Sequence, residues 1–375
     1  MINVFVDKPV YIPAEYEDRS ELISLFDIIF GSGNYCITTQ FDPLAIDNTV
    51  SFITNLLINQ VFNNVQEKVD QVKLYAKQSR LVFVSETEIN ARITEVVRSV
   101  SIECQNVIWL IPGCIVGADN VINNHWHVDQ TVDIYKQLPD ELAKLKPYDT
   151  KPKLFDALLG TKKTHRDFVY KSLITADLDV HSILKYHGRN SPTLTGSEHF
   201  VWEPGSKPHA QQFITAPDGT ISIQTTTTHS TENVEYRGLS VRLSQILPIE
   251  VYNTSAYSII TETLFDNQFS FYTEKIAKAI LARRLFVVFS GTGYLQNLRQ
   301  QGFQTFSVVI DETYDTISND NTRFNLAMDQ LCRLAEMRQT DVLLRIQGIC
   351  DHNYNLLTSG QLRANMLNLM REYIL

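Results

Sequence analysis

The stretch that decides the fold is residues 257–313, YSIITETLFDNQFSFYTEKIAKAILARRLFVVFSGTGYLQNLRQQGFQTFSVVIDET. Its hydrophobic period changes in a fixed order. An apolar strand at 258–260 is followed by a polar turn, an amphipathic helix over about 272–282, and a second apolar strand at 285–289. That order is typical of a βαβ unit, so the stretch predicts a parallel sheet with helices packed on it.

A Glu-Lys pair, Glu274 and Lys275, stands in the first turn of the predicted helix. It follows Tyr272 and Thr273 directly, and Glu262 lies shortly before. In a βαβ unit this turn lies at the carboxyl edge of the sheet, where open α/β sheets bind their ligands. The pair is therefore predicted to bind a ligand together with Glu262, Tyr272 and Thr273, although an acidic first turn that only complements the helix dipole is the simpler alternative for the pair.

Two further motifs point to an anionic ligand at the same edge. Ser290-Gly291-Thr292-Gly293 follows the second strand and resembles a phosphate-cradling turn, so Gly291 is expected to contact such a ligand, although the motif is not GxGxxG. Arg166 lies at a predicted helix start, where a guanidinium can chelate phosphate oxygens. Its neighbour His165 either hydrogen-bonds the ligand or is structural.

These residues carry a resemblance to a known family. Glu262, the run Tyr-Thr-Glu-Lys at 272–275, and the upstream run KKTHRDF at 162–168 resemble the donor-binding half of the α1,3-fucosyltransferase family. The resemblance is closer to the phage and bacterial glycosyltransferase-like proteins that share this block, and it covers roughly 153–313. It implies that Glu274 and Lys275 contact a nucleotide sugar, that Arg166 contacts its phosphates, and that the sugar is transferred with inversion and without a metal.

The domain organisation follows from length and pattern. With 375 residues the chain is long for one core, and short apolar runs alternate with helical periods in its first half as well. We predict two Rossmann-like domains facing a cleft, the GT-B arrangement. The expected segments are an acceptor-side domain at 1–138, a proline- and lysine-rich linker at 139–153, a nucleotide-sugar domain at 154–345 with an insertion at 190–237, and a C-terminal helix at 346–375 that packs back towards the first domain.

An inverting transfer also needs a general base, usually a carboxylate of the first domain. Glu86 follows the predicted strand at 81–85, and Asp119 follows the one at 107–111. Both are candidates, and His125 and His127 also remain open.

No cofactor and no metal are expected. Asp177-Leu178-Asp179 mimics a metal-binding DxD motif but is interpreted as surface, and His125 and His127 alone are a poor ligand set. The 5 cysteines have no CxxC spacing, which indicates free thiols in a reducing compartment.

Charge and hydropathy restrict the partners and the compartment. The formal charge of −9 disfavours tight nonspecific DNA binding, without excluding an acceptor presented by DNA. No run approaches the roughly 18 apolar residues of a membrane helix, and the first residues look like a strand and not like a secretory signal. We therefore expect no membrane partner and a cytoplasmic location, in a bacterium or a phage-infected host.

The predicted function is that of a hexosyl- or pentosyltransferase that uses a UDP- or GDP-sugar. Its hydroxyl acceptor is either a hydroxymethylated base in phage DNA, which would have to be flipped from the stack, or a surface glycan. Two alternatives from other classes are a non-catalytic nucleotide-sugar-binding protein and a DNA-binding accessory protein.

Overall fold

The computed structural model describes the chain in two compact units. The described residues are 2–6, 26, 29–38, 49–53, 64–76, 80–84, 89, 91–115, 117–161, 163–187, 211–215, 221–225, 233–265 and 269–374. The first unit comprises Met1–Trp126, Asp266–Phe271 and Gly360–Leu375, and the second comprises His127–Phe265 and Tyr272–Ser359. Glu86 and most of the predicted insertion at 190–237 lie outside the described residues.

The first unit is built on a parallel sheet of 6 strands. Its elements are β1 (Ile2–Val6), β2 (Tyr35–Thr38), β3 (Thr49–Ile53), α1 (Val65–Ala76), β4 (Arg80–Val84), α2 (Ala91–Glu103), β5 (Val107–Ile111), β6 (Gly113–Ile115) and β7 (Val121–Asn123). The strand order is β2-β1-β3-β4-β5-β7, a doubly wound order in which strands are added on both sides of the first one. Strand β5 is buried at every position, as expected where helices cover both faces of a parallel sheet.

Two segments from later in the chain complete this unit. Helix α11 (Gln361–Ile374) packs Met366 and Met370 into the same apolar cluster as Val82 of β4 and Ile108 of β5. Strand β15 (Phe269–Phe271) pairs antiparallel with β6. Gly113 is required there, because a Cβ at this position would lie 2.2 Å from the carbonyl oxygen of Ser270.

The second unit contains a parallel sheet of 4 strands. The strands of this unit are β8 (Lys153–Thr161), β9 (Ser182–His187), β10 (Gln211–Thr215), β11 (Ile221–Thr225), β12 (Asn233–Tyr236), β13 (Leu239–Arg242), β14 (Ser255–Thr261) and β16 (Phe286–Phe289). The parallel sheet has the order β16-β14-β8-β9, with β9 added on one side of β8 and with β14 and β16 on the other. The order therefore reverses between β8 and β14, which makes this position a topological switch point.

Helices surround this sheet in the chain order expected for βαβ units. Thr164–Thr175 connects β8 to β9, and Glu274–Leu281 precedes β16, which agrees with the helix predicted over 272–282. The helices are α3 (Trp126–Gln137), α4 (Pro139–Ala143), α5 (Thr164–Thr175), α6 (Ile249–Thr254), α7 (Glu274–Leu281), α8 (Tyr294–Gln300), α9 (Asp320–Glu336) and α10 (Gln339–Thr358).

A buried ion pair holds the amino end of β14 in the second unit. Arg284 Nη2 lies 2.5 Å from Asp156 Oδ2, and the two side chains are 3% and 4% exposed. Arg284 also donates to the Ser258 hydroxyl at 2.9 Å and to the carbonyls of Tyr252 and Ser255 at 2.8 and 2.7 Å. Burial raises the pKa of Asp156, and the guanidinium acts in the opposite direction. The pair thus ties β8 and β14 to the segment that precedes β16.

The predicted α/β architecture with parallel sheets is confirmed, but the unit boundaries differ from the expected ones. Residues 127–138 and the predicted linker belong to the second unit. The segment 139–153 is more than a connecting linker, because it contains helix α4, which starts at Pro139. Its Glu141 carboxylate is buried and forms ion pairs with Lys144 and Arg237. Of the residues expected to form one C-terminal segment, α10 lies in the second unit and α11 in the first. Among the described residues, no helix has the length and apolar character needed to span a bilayer.

Replacing Arg284 by Met should destabilise the second unit by about 3–5 kcal/mol, because Asp156 would keep a buried charge without its cation. Urea unfolding followed by tryptophan fluorescence and circular dichroism measures the change. Arg338→Met is the matched control, since its side chain is 81% exposed and its pair with Asp341 lies at the surface. Equal effects of the two substitutions would contradict the structural role given to the buried pair.

Candidate functional site

The switch point of the second sheet brings together the side chains that follow β8 and β14. His165 Nε2 lies 2.7 Å from the backbone oxygen of Glu262, and Lys163 Nζ donates to the backbone oxygen of Thr263 at 2.8 Å. The guanidinium of Arg166 lies against the carboxyl end of β8, because a Cβ on Gly160 would be 3.1 Å from the Arg166 Nη1 atom. The residues predicted from two distant parts of the sequence thus meet at one sheet edge.

Glu262 is the buried centre of this region. Its side chain has no solvent exposure, and each carboxylate oxygen accepts a hydrogen bond from a hydroxyl group. Thr273 Oγ1 donates to Oε2 at 2.7 Å, and the Tyr294 hydroxyl donates to Oε1 at 2.9 Å. Burial raises the pKa of Glu262, while Lys275 and the Thr273 hydroxyl act in the opposite direction. We call Glu262, Thr273, Lys275 and Tyr294 the Glu262 network.

Thr273 joins this network to helix α7. It is the N-cap residue of the helix, and its Oγ1 accepts from the backbone N–H of Lys275 at 3.3 Å. The same oxygen accepts from Lys275 Nζ at 3.1 Å, and Nζ lies 3.8 Å from Glu262 Oε2. The Lys275 side chain is 22% exposed, so the residue whose ammonium these groups hold is only partly buried.

Glu274 is held beside this ammonium. Its Oε1 accepts from Lys275 Nζ at 3.1 Å, and its side chain is 18% exposed. Burial by itself would raise the pKa of Glu274, but Lys275 and Lys278 outweigh it and lower the pKa to about 2. Burial lowers the pKa of Lys278 to about 8, and its Nζ donates to the backbone oxygen of Ser244 at 2.6 Å. Glu274 is therefore charged at neutral pH, as a residue that orients Lys275 must be.

Tyr272 has a packing role in this region. It is 3% exposed, its hydroxyl donates to the backbone oxygen of Tyr294 at 3.2 Å, and the two rings lie 4.8 Å apart. Tyr294 itself was missed by the sequence reasoning. It follows the glycine-rich loop, and no local signal indicates that its hydroxyl reaches a carboxylate 32 residues earlier.

His165 behaves as a structural histidine. Its Nε2 must carry the proton, because its partner is a carbonyl oxygen, and its Nδ1 has no hydrogen-bond partner among the residues described. Burial, and then Arg166, lower the pKa of His165 to about 3, so the ring is neutral at physiological pH. It is fully buried and packs 4.5 Å from the ring of Phe265, which favours the structural alternative over direct ligand contact.

The loop Ser290-Gly291-Thr292-Gly293 is held by internal charges. The Asp315 carboxylate accepts from the backbone N–H groups of Leu295 and Gln296, both at 2.9 Å. An internal anion thus already occupies the first-turn amides of α8, where a phosphate would bind. Arg323 donates from the other side to the backbone oxygen of Ser290 at 2.9 Å. Gly291 as a donor-side residue remains a prediction, and Asp315 and Arg323 are residues that the sequence reasoning missed.

The first candidate for the catalytic base is Asp119. Asp119 was named as a candidate base because it follows the predicted strand at 107–111. The chain turns back, so that Val121 of β7 lies opposite Trp109 and Asn120 donates to the backbone oxygen of Val107 at 2.8 Å. Asp119 is therefore an exposed turn residue beside the amino end of β5. This location gives no support to Asp119 as a base, which remains a prediction.

His125 lies at the carboxyl end of β7, but it is poorly suited to act as a base. The Asn123 side chain accepts from the His125 backbone N–H at 3.0 Å, which turns its amide nitrogen towards His125 Nδ1 at 3.2 Å. The ring must therefore accept at Nδ1 and carry its proton on Nε2. Burial lowers the pKa of His125 to about 4. His127 lies one residue into helix α3.

Neither a protein-family model nor a curated protein sequence matches this chain. Within the described part of the chain, no group of three or more His, Cys, Asp or Glu side chains is arranged to hold a metal ion. Asp177 and Asp179 of the DxD-like run follow α5, and Asp177 is exposed.

Replacing Glu274 by Gln should change how stability depends on acid. Because the pKa of Glu274 in the folded protein is about 2 and its ordinary value is 4.5, its carboxylate stabilises the fold above pH 4.5 and this stabilisation is lost as the pH falls towards 2. The difference in unfolding free energy between wild type and Glu274→Gln should be about 3 kcal/mol near neutral pH and should shrink below pH 4.5.

Urea unfolding at a series of pH values measures this difference. Glu250→Gln is the matched control, because Glu250 is also an acid in the first turn of a helix but is exposed. A difference for Glu274→Gln that is independent of pH would show that the carboxylate is not stabilised by Lys275 and Lys278.

Proposed function

We propose that the protein is a nucleotide-sugar-dependent glycosyltransferase of the GT-B type that transfers a sugar to a hydroxyl acceptor with inversion. The carboxyl edge of the second sheet, between β8 and β14, would hold the nucleotide diphosphate. The observation that carries the proposal is the position of Lys275. Thr273 and Glu274 fix its ammonium, its side chain is partly exposed, and it lies at the switch point, where α/β sheets bind their ligands.

The cations of this edge suit a diphosphate leaving group. Negative charge develops on the phosphate oxygens as the bond to the sugar breaks, and fixed positive charges stabilise it. Lys275 would supply one such charge by contact, and Arg166, which is 4% exposed, would supply a second from inside the protein. These residues can supply the positive charge without a divalent ion, so the proposed reaction needs no metal.

Glu274 has two compatible tasks in this proposal. Its carboxylate already accepts a hydrogen bond from Lys275 and so keeps the ammonium in one position. A carboxylate that is charged at neutral pH is also a good acceptor for ribose hydroxyls. The remaining lone pairs of Glu274 would serve that purpose.

An acceptor and a general base complete the proposed reaction. The acceptor would be a hydroxymethylated base in phage DNA or a surface glycan, and Glu86 remains a candidate base. The acidic chain, with a formal charge of −9, favours an acceptor that does not demand tight phosphate binding.

Thermal unfolding with a panel of UDP-, GDP-, CMP- and dTDP-sugars tests the donor site. A ligand that binds only the folded state raises the melting temperature, by the equivalent of about 2.7 kcal/mol at one hundred times its Kd. We expect one nucleotide class to raise the melting temperature of wild type, and Lys275→Ala to lose most of that increase. Lys171→Ala, an exposed lysine on α5, is the control that should respond like wild type.

The same panel separates the rival functions. Binding without release of nucleoside diphosphate, with any DNA or glycan acceptor, would favour the non-catalytic binding protein. No increase with any member at millimolar concentration, together with DNA affinity that falls steeply with salt, would favour the DNA-binding accessory protein and overturn the proposal.

A further inference from the structure

We infer that Glu262 is a positioning residue: it orients the Thr273 hydroxyl so that the Thr273 oxygen holds the Lys275 ammonium, and it does not contact the ligand itself. This inference rests on the proposed function only where it concerns nucleotide binding. It gives Glu262 a role other than the predicted contact with the donor, because the side chain has no solvent exposure.

The direction of each hydrogen bond follows from what the groups can donate. An ammonium and a backbone N–H only donate, so Thr273 Oγ1 must accept from both Lys275 Nζ at 3.1 Å and the Lys275 backbone N–H at 3.3 Å. A hydroxyl has two lone pairs and one proton, and both lone pairs are then used. The proton has to point to an acceptor, which is Glu262 Oε2 at 2.7 Å.

The second carboxylate oxygen is held in the same way. The Tyr294 hydroxyl donates to Oε1 at 2.9 Å. Hydroxyl donors on both oxygens and the Lys275 ammonium, whose Nζ lies 3.8 Å from Oε2, favour the ionised form of Glu262, whereas burial opposes it.

Removal of Glu262 should therefore act on a ligand only through Lys275. Without the Glu262 acceptor, the hydroxyl proton of Thr273 has no partner in the Glu262 network. It then competes with the two Lys275 donors for the space around the Thr273 oxygen. The ammonium would lose its fixed position although its side chain is unchanged. The substitution Glu262→Gln is milder, because the new amide oxygen can face Thr273 while the NH₂ group faces Tyr294.

Calorimetry tests this inference by measuring the Kd of the nucleoside diphosphate identified in the panel. The variants are Glu262→Met, Glu262→Gln, Thr273→Val, Thr273→Ser and Lys275→Ala. We expect Glu262→Met, Thr273→Val and Lys275→Ala each to raise the Kd about tenfold or more, since a hydrogen bond to a charged group is lost. Thr273→Ser should stay within about twofold of wild type because it keeps the hydroxyl, and Glu262→Gln should lie between the two.

Double variants decide between positioning and direct contact. If Glu262 acts through Lys275, then Glu262→Gln in the Lys275→Ala background should leave the Kd as it is in Lys275→Ala alone. A further weakening in that background would overturn the inference. Glu312→Gln is the control for general destabilisation, since Glu312 is also a buried carboxylate and accepts from Thr305, the Phe306 backbone N–H and Arg299.

The network can also be tested if no nucleotide binds. In that case the proposed function fails, while the melting temperatures of the ligand-free variants still report on the contacts. The decreases caused by Thr273→Val and by Lys275→Ala should then sum to more than the decrease in the double variant, because both remove the same hydrogen bond. Additive decreases would overturn the inference independently of the ligand.

Discussion

Two buried carboxylates lie near the ends of strand β14, and the second unit is organised by how their charges are satisfied: Asp156 of the neighbouring β8 lies beside the amino end, and Glu262 directly follows the carboxyl end. The strand is buried along its whole length between β8 and β16. A charge in such a position is costly unless it is paired or hydrogen-bonded. At the amino end Asp156 has a complete ion pair with Arg284, whereas at the carboxyl end Glu262 accepts mainly from hydroxyl groups.

This difference separates a structural end of the sheet from one suited to binding. The Arg284 guanidinium donates its hydrogen bonds inside the protein, to Asp156, to Ser258 and to backbone carbonyls, and its side chain is 3% exposed. Thr273 and Glu262 fix the Lys275 ammonium from the interior of the protein, and the Lys275 side chain is still 22% exposed. The two helix N-termini at this edge differ in the same way. Asp315 occupies the first-turn amides of α8, while the start of α7 carries the partly exposed Glu274 and Lys275 pair.

Local pattern was sufficient to predict the βαβ unit and the position of its helix. The apolar runs around Ile259 and Val287 are short and lie on either side of an amphipathic period, and these are properties of neighbouring residues. Lys275 and Arg166 could be proposed because both stand at helix starts after predicted strands. Tyr294, Asp315 and Arg323 could not, since each reaches its partner across 20 residues or more and no periodicity records such a contact.

By itself, the sequence determined the alternation of strands and helices, the parallel sheets that follow from it, and the edge at which charged side chains gather. These features depend on hydrophobic period and on the handedness of chain connections, which act over short distances. Only the tertiary structure decided that β7 returns beside β5 and leaves Asp119 at the opposite edge. It alone also decided that α3 and α4 belong to the second unit and that Glu262 is enclosed by hydroxyl groups. Such outcomes depend on which distant surfaces pack together, because burial and the satisfaction of polar groups are properties of the assembled fold.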